Sequence, residues 1–221
     1  MRTILTLLVY LWPLVGLAEV APLISAARQP LVQMAPASGN VQSASLFQGA
    51  SNGFFAPKST FDKDALIRIR NVIGQAESPQ AGYDAVQHGA RIRPAKPPTQ
   101  MTLAEIFAWI DATPGQPHAI GRYQFIPATL RRVATQIGAQ PGDRFSPAMQ
   151  DRLADVLLAD AGFAAFLAGE LNQKDFMNNL AAIWAGLPTS NGRSRYHGIA
   201  GNRATVTLAY FQSEIAKIAP G

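Results

Sequence analysis

Glu77 is the residue whose type and position most invite chemistry. It follows apolar residues at helical spacing: Leu66, Ile69, Val72, Ile73 and Ala76. At about 100° per residue, Leu66, Ile73 and Glu77 fall within a sector of roughly 40°, so Glu77 prolongs the apolar stripe. Pro79 disfavours helical geometry at Ser78, which ends the helix near Glu77. A carboxyl drawn toward the core loses solvation, and the negative end of the helix macrodipole also disfavours its anion. Both effects push the pKa up, toward what a general acid needs near neutral pH. The same pattern fits a surface glutamate in a frayed last turn. A second candidate is Gly121-Arg122-Tyr123-Gln124-Phe125, after a Gly/Pro loop and before a helix. Gln124 suits hydrogen bonding to a polar ligand, and Tyr123 suits packing on a sugar face. The alternative is a tight turn with Tyr123 and Phe125 in the core.

The composition narrows the class of chemistry. The chain has 221 residues, with 19 Lys and Arg against 14 Asp and Glu, and no Cys. Without Cys there are no disulfides, thiolate zinc sites, cysteine nucleophiles or lipidated N-terminal cysteines. Its 3 His (His88, His118, His197) have no short spacing, so neither metal nor cofactor is expected. The net charge of +5 is mild and scattered with no basic helix face, so no nucleic acid is expected as partner, and an anionic polymer or surface fits as well.

The elements that must carry these residues begin after an address. Residues 1–18 combine Arg2, an apolar run from Ile4 to Leu17 and a Gly16-Leu17-Ala18 end, the pattern of a signal peptide cleaved after Ala18. Interrupted by Pro13, that run is shorter than the roughly 20 residues a bilayer span needs, so no lasting anchor is expected. Residues 19–60 show neither helical nor strand period and read as a linker or partly ordered arm. Residues 61–221 read as one compact domain, mainly α.

Asp62 or Asp64 can cap the helix that leads to Glu77, and residues 82–93 suggest a small β-hairpin turning at His88-Gly89. Thr102 and Glu105 form a capping box. Pro127 and Gly138 frame a further helix, and Ser146-Pro147 opens another that closes at Gly162. Shorter helices are expected near 163–168 and 174–185, with a last one over about 201–218. Trp109 and Trp184 are expected in the core, and His118 and His197 on the solvated surface.

Taken in order, Glu77-Ser78, Tyr83-Asp84, GRYQF at 121–125, FSPAMQD at 145–151 and IWAGLP at 183–188 resemble the phage lambda lysozyme family of muramidases. More distantly they resemble the soluble lytic transglycosylases of the lysozyme-like superfamily. The resemblance spans about residues 62–217 and implies a lysozyme-like α+β domain acting on peptidoglycan glycan strands. It further implies cleavage of the β-1,4 bond between N-acetylmuramic acid and N-acetylglucosamine. By position, Glu77 matches the catalytic acid, and Ser78, Tyr83, Asp84, Gly121, Arg122, Tyr123 and Gln124 fall on the segments that line the cleft.

The chain also departs from these families. Its loop between Glu77 and Tyr83 is shorter than in the phage enzyme, and Ile183-Trp184-Ala185-Gly186 stands where the transglycosylases carry Tyr-Asn-Ala-Gly. The implied enzyme is a monomeric periplasmic or secreted lytic transglycosylase. One Glu serves as acid and base and leaves 1,6-anhydromuramoyl ends, without metal or cofactor. A hydrolytic muramidase that activates water through Asp84, and a catalytically idle peptidoglycan-binding scaffold, are the competing readings.

Overall fold

The apolar stripe leading to Glu77 does form one face of a helix, α1 (Thr60–Glu77), in a computed structural model that describes residues 60–199 and 201–219. Leu66, Ile69, Val72, Ile73 and Ala76 are all buried. Each large apolar side chain removed from water in this way contributes about 1.5–3 kcal/mol. The helix starts at Thr60, so Asp62 and Asp64 lie inside its first turns rather than before them. It ends at Glu77, as the Ser78-Pro79 pair requires.

Six more helices follow among the described residues: α2 (Leu103–Ala112), α3 (Pro127–Gln136), α4 (Pro147–Asp160), α5 (Phe163–Leu167), α6 (Gln173–Ile183) and α7 (Leu208–Ala216). Their starts follow the cap signals. Thr102 and Glu105 form the reciprocal capping box, and Ser146 accepts from Met149 N–H with Pro147 at the first helical position. Gly162 adopts a left-handed conformation and opens α5 as it ends α4. The helices pack as neighbours, α1 on α7, α3 on α4, and α4, α5, α6 and α7 in succession. Phe166 and Phe176 stack with ring centroids 4.4 Å apart where α5 meets α6. The described residues form one compact unit. The expected signal peptide and nearly all of the arm lie outside them.

Three further expectations need correction. The 82–93 segment does not fold back on itself as a hairpin. Instead Val86 bridges antiparallel to Ile120, through Gln87 N–H to Ala119 O (2.9 Å) and Gly121 N–H to Ala85 O (2.7 Å). The donors of the expected return strand go elsewhere: Ala90 N–H turns back to Gln87 O (3.0 Å), and Ile92 N–H donates to Gln116 Oε1 (2.9 Å). Next, the last helix begins at Leu208, not near 201. Thr207 caps it, and the β-branched Thr205-Val206-Thr207 run before it remains outside the helix. Finally, His118 is buried rather than solvated. Its Nε2 lies 2.8 Å from Thr113 Oγ1, and its ring meets Trp109 edge-on at 4.9 Å. Trp109 and Trp184 are in the core, as expected, and His197 is exposed.

Candidate active site

The end of α1 presents Glu77 as a half-buried carboxyl with a single hydrogen bond among the described residues. Gly186 N–H donates to its Oε1 at 2.8 Å. Loss of solvation dominates its electrostatics and pushes its pKa up to about 7, against a smaller lowering by the Gly186 N–H. No basic residue sits in the last turn of α1 to offset this. Gly186 reaches Glu77 because it is glycine: a Cβ there would stand 2.6 Å from Ala76 O. The close approach of the 184–187 segment to α1 therefore depends on the missing side chain.

Ser78, one residue on, is buried, and its hydroxyl donates to Arg122 O at 2.8 Å. That bond ties the end of α1 to the Gly121–Phe125 turn. Reciprocal bonds between Ile120 and Phe125 close the turn (3.2 and 3.0 Å). Gly121 has φ +77°, and a Cβ on it would collide with Gln150 Oε1. Gln124 is non-glycine at φ +46°, a strained position held by its own Nε2 donating to Gly121 O at 2.9 Å.

The tyrosines do different work from the carboxyl. Tyr83 and Tyr123 both donate to Asp151 Oδ1, at 2.8 and 2.6 Å, and Asp151 Oδ2 meets Arg70 at 3.4 Å. Burial, then Asp151, raises the pKa of Tyr83, and the same two causes raise that of Tyr123. Arg122 lies over the Tyr83 ring at 5.0 Å and donates to Tyr83 Oη (3.2 Å) and Asn71 Oδ1 (2.7 Å). Gln150 is fully buried. It accepts from Arg122 N–H (2.9 Å) and donates to Tyr83 O (2.9 Å) and Phe145 O (3.0 Å). The FSPAMQD segment thus braces both candidate cleft segments from behind. Gln150 and Asp151 belong to the site's scaffold, and their only signal in the sequence was that motif.

Two cavities flank this framework. One of about 510 Å³ is bordered by Gln124, Asn179, Ile183, Trp184 and Tyr196. Trp184 and Tyr123 touch its wall but are only 2% and 1% exposed, so neither offers a face to a sugar. The other, about 1000 Å³, is bordered by Ser78, Tyr83, Asp84, Thr99, Arg122 and Arg144. Glu77 borders neither directly: its neighbour Ser78 borders the larger, and Trp184, two residues before Gly186, borders the smaller. Asp84 is exposed and its Oδ1 accepts from Thr99 N–H at 2.8 Å, so its hydrogen bonding faces the 3₁₀ turn Pro98–Gln100 rather than Glu77. Among the described residues no group of three His, Cys, Asp or Glu is arranged to hold a metal ion.

A family model described as Endolysin matches residues 70–216. The chain belongs to the endolysin family. The matched stretch opens within α1 and closes on the last residue of α7, so Glu77, the Gly121–Phe125 turn and the Gly186 contact all lie within it. Membership makes this endolysin a peptidoglycan-degrading enzyme of the cell-wall-lytic class. No curated protein and no solved structure matches the chain. Among the described residues of the endolysin, no helix is long and apolar enough to cross a membrane.

Proposed function

We propose that this endolysin is an exported lytic transglycosylase of the lambda-lysozyme-like kind, cleaving the MurNAc-β-1,4-GlcNAc bond with Glu77 as both acid and base. The observation that carries the reading is the Glu77 carboxyl, at a helix end, desolvated to a pKa of about 7 with one backbone N–H upon it. Such a group holds a proton and an anion in comparable amounts at neutral pH, as an acid that must later act as base requires. Protonated Glu77 gives its proton to the glycosidic oxygen, and the C1–O bond breaks as charge develops on the sugar ring. The carboxylate, stabilised by Gly186 N–H, then takes the proton of the substrate's C6 hydroxyl as that oxygen bonds C1. The product is a 1,6-anhydro end, and no water is consumed.

Asp84 gives less support to a hydrolytic route, because its oxygen is already engaged by Thr99 N–H. A two-carboxylate glycosidase needs its second carboxyl within about 5–9.5 Å of the acid. In this reading Gln124, Ser78 and Arg122 shape the cleft, Tyr83, Tyr123 and Gly121 hold the turn that presents them, and Asp84 orders the adjoining loop. The leader of residues 1–18 delivers the monomeric enzyme to the periplasm or beyond, where the glycan strands are.

The decisive experiment is digestion of purified sacculi followed by mass spectrometry of the muropeptides. Products lighter by one water than hydrolysed ones are expected. Reducing muramic acid ends would replace the transglycosylase with a muramidase, and full turnover by Glu77→Gln would remove Glu77 from the reaction.

A further inference from the structure

The hydrogen bond that reaches Glu77 raises the question of what holds its donor. Gly186 lies past the end of α6, in a segment with no helix of its own, and its N–H points at Glu77 Oε1 from 2.8 Å. Gly186 O accepts from Thr205 N–H at 2.9 Å. Thr205 Oγ1 lies 2.5 Å from Ala76 O and 3.2 Å from Gly186 O. A hydroxyl has one proton to give, and the shorter, better contact takes it. Ala76 O is a carbonyl of the last turn of α1, the kind that finds no partner within a helix. It is also the oxygen that a side chain on Gly186 would strike.

Thr205 thus joins two pieces of chain from opposite ends of the domain. Its backbone N–H grips Gly186, and its hydroxyl grips the residue before Glu77. The threonine as a whole is exposed and stands before α7, so it is not there to fill the core.

We propose that Thr205 is a positioning residue for the reaction: it clamps the Gly186 peptide to the last turn of α1 and keeps the Gly186 N–H aimed at the Glu77 carboxyl. It touches neither substrate nor reacting atoms and acts only through Gly186. The inference rests on the reading of Glu77 as acid and base. The charged groups nearest along α1, Arg68 and Arg70, are paired with Glu214 and with Asp151 and Asp155, and among the described residues the Gly186 N–H is the hydrogen bond that reaches Glu77.

The test compares Thr205→Val, which keeps shape and loses the hydroxyl, with Thr205→Ser, which keeps the hydroxyl, in the full chain. Thr205→Val is expected to lower kcat roughly 10-fold with KM little changed, since small misplacements of a catalytic group are costly. It should also move the alkaline limb of the kcat profile to higher pH, because the Gly186 N–H favours the carboxylate and its loss favours the acid form. Thr205→Ser should restore both. Carbon-detected NMR titration of the Glu77 carboxyl reads the same shift without turnover, and its midpoint should rise in Thr205→Val. Should Thr205→Val fail to fold, Thr205→Ala takes its place. An unchanged midpoint overturns the clamp, whether or not kcat falls. If Glu77→Gln stays active the catalytic reading fails, while the midpoint still decides the clamp.

Discussion

Helix α1 carries two acid–base arrangements of opposite design. In its middle, Arg70 donates through Nε to Asp155 Oδ1 at 2.9 Å, makes a second, shorter contact to Oδ2, and reaches Asp151 as well. Asp155 is fully buried, and the two tyrosines complete the shell of Asp151. Burial pulls the pKa of Arg70 down, but Asp155 and Asp151 outweigh it and hold the pKa above its ordinary value. At its end, Glu77 is also removed from water, and among the described residues it meets the Gly186 N–H and no cation. Charges that are paired and fully bonded stay ionised and hold structure. A desolvated carboxyl with one neutral partner keeps a movable proton. The difference between the two places is the partner set, not the burial.

Removing the lone carboxyl should have the largest effect. Glu77→Gln keeps size and hydrogen bonding but has no proton to donate, and loss of general acid catalysis typically costs about 10²–10⁴-fold. Sacculus digestion should fall at least that far while the circular dichroism spectrum is unchanged. Near-normal turnover would erase the contrast between the two ends of α1.

Breaking the paired site should instead cost stability. Asp155→Ala leaves the Arg70 guanidinium without its closest partner, and breaking a buried pair typically costs about 3–5 kcal/mol. Denaturant unfolding should show a loss of that order, and a loss below about 1 kcal/mol, the scale of an exposed pair, would remove its structural role.

A third prediction sharpens the comparison through pH. The folded-state pKa of Glu77 is raised from 4.5 to about 7, so its protonated form is favoured in the fold. Its contribution to stability is full below about pH 4.5 and is lost as pH rises through about 7. Glu77→Gln does not titrate. The variant should therefore gain on the wild type across that window, by up to about 3 kcal/mol, and level off above it. Parallel stability curves for the two proteins would mean that Glu77 is solvated.

The smallest effect is expected at Asp84. Its visible partner is the Thr99 N–H, so Asp84→Asn should reduce activity by less than about tenfold and stability by about 0.5–1.5 kcal/mol. A loss as large as that of Glu77→Gln would make it the second catalytic carboxylate and favour water as the nucleophile.

The sequence by itself determined what local rules govern. The stripe from Leu66 to Ala76, the stop before Pro79, the Thr102 box and the Ser146-Pro147 start were legible because each depends on residues within a few positions of each other. The raised pKa of Glu77 was legible too, since the same periodicity that buries Ile73 carries Glu77 with it. What only the tertiary structure decided is who meets whom. Gly186 lies 109 residues from Glu77, and Thr205 lies 129 from Ala76. Strand pairing went to 119–121 rather than back along 82–93, and His118 found Thr113 and Trp109 inside the domain. The physical reason is that burial of a stripe is written in a period, whereas a hydrogen bond across the fold depends on where packing brings two distant backbones together. At the end of α1 that meeting supplied, among the described residues, one N–H, and desolvation there raises the pKa of Glu77 to about 7.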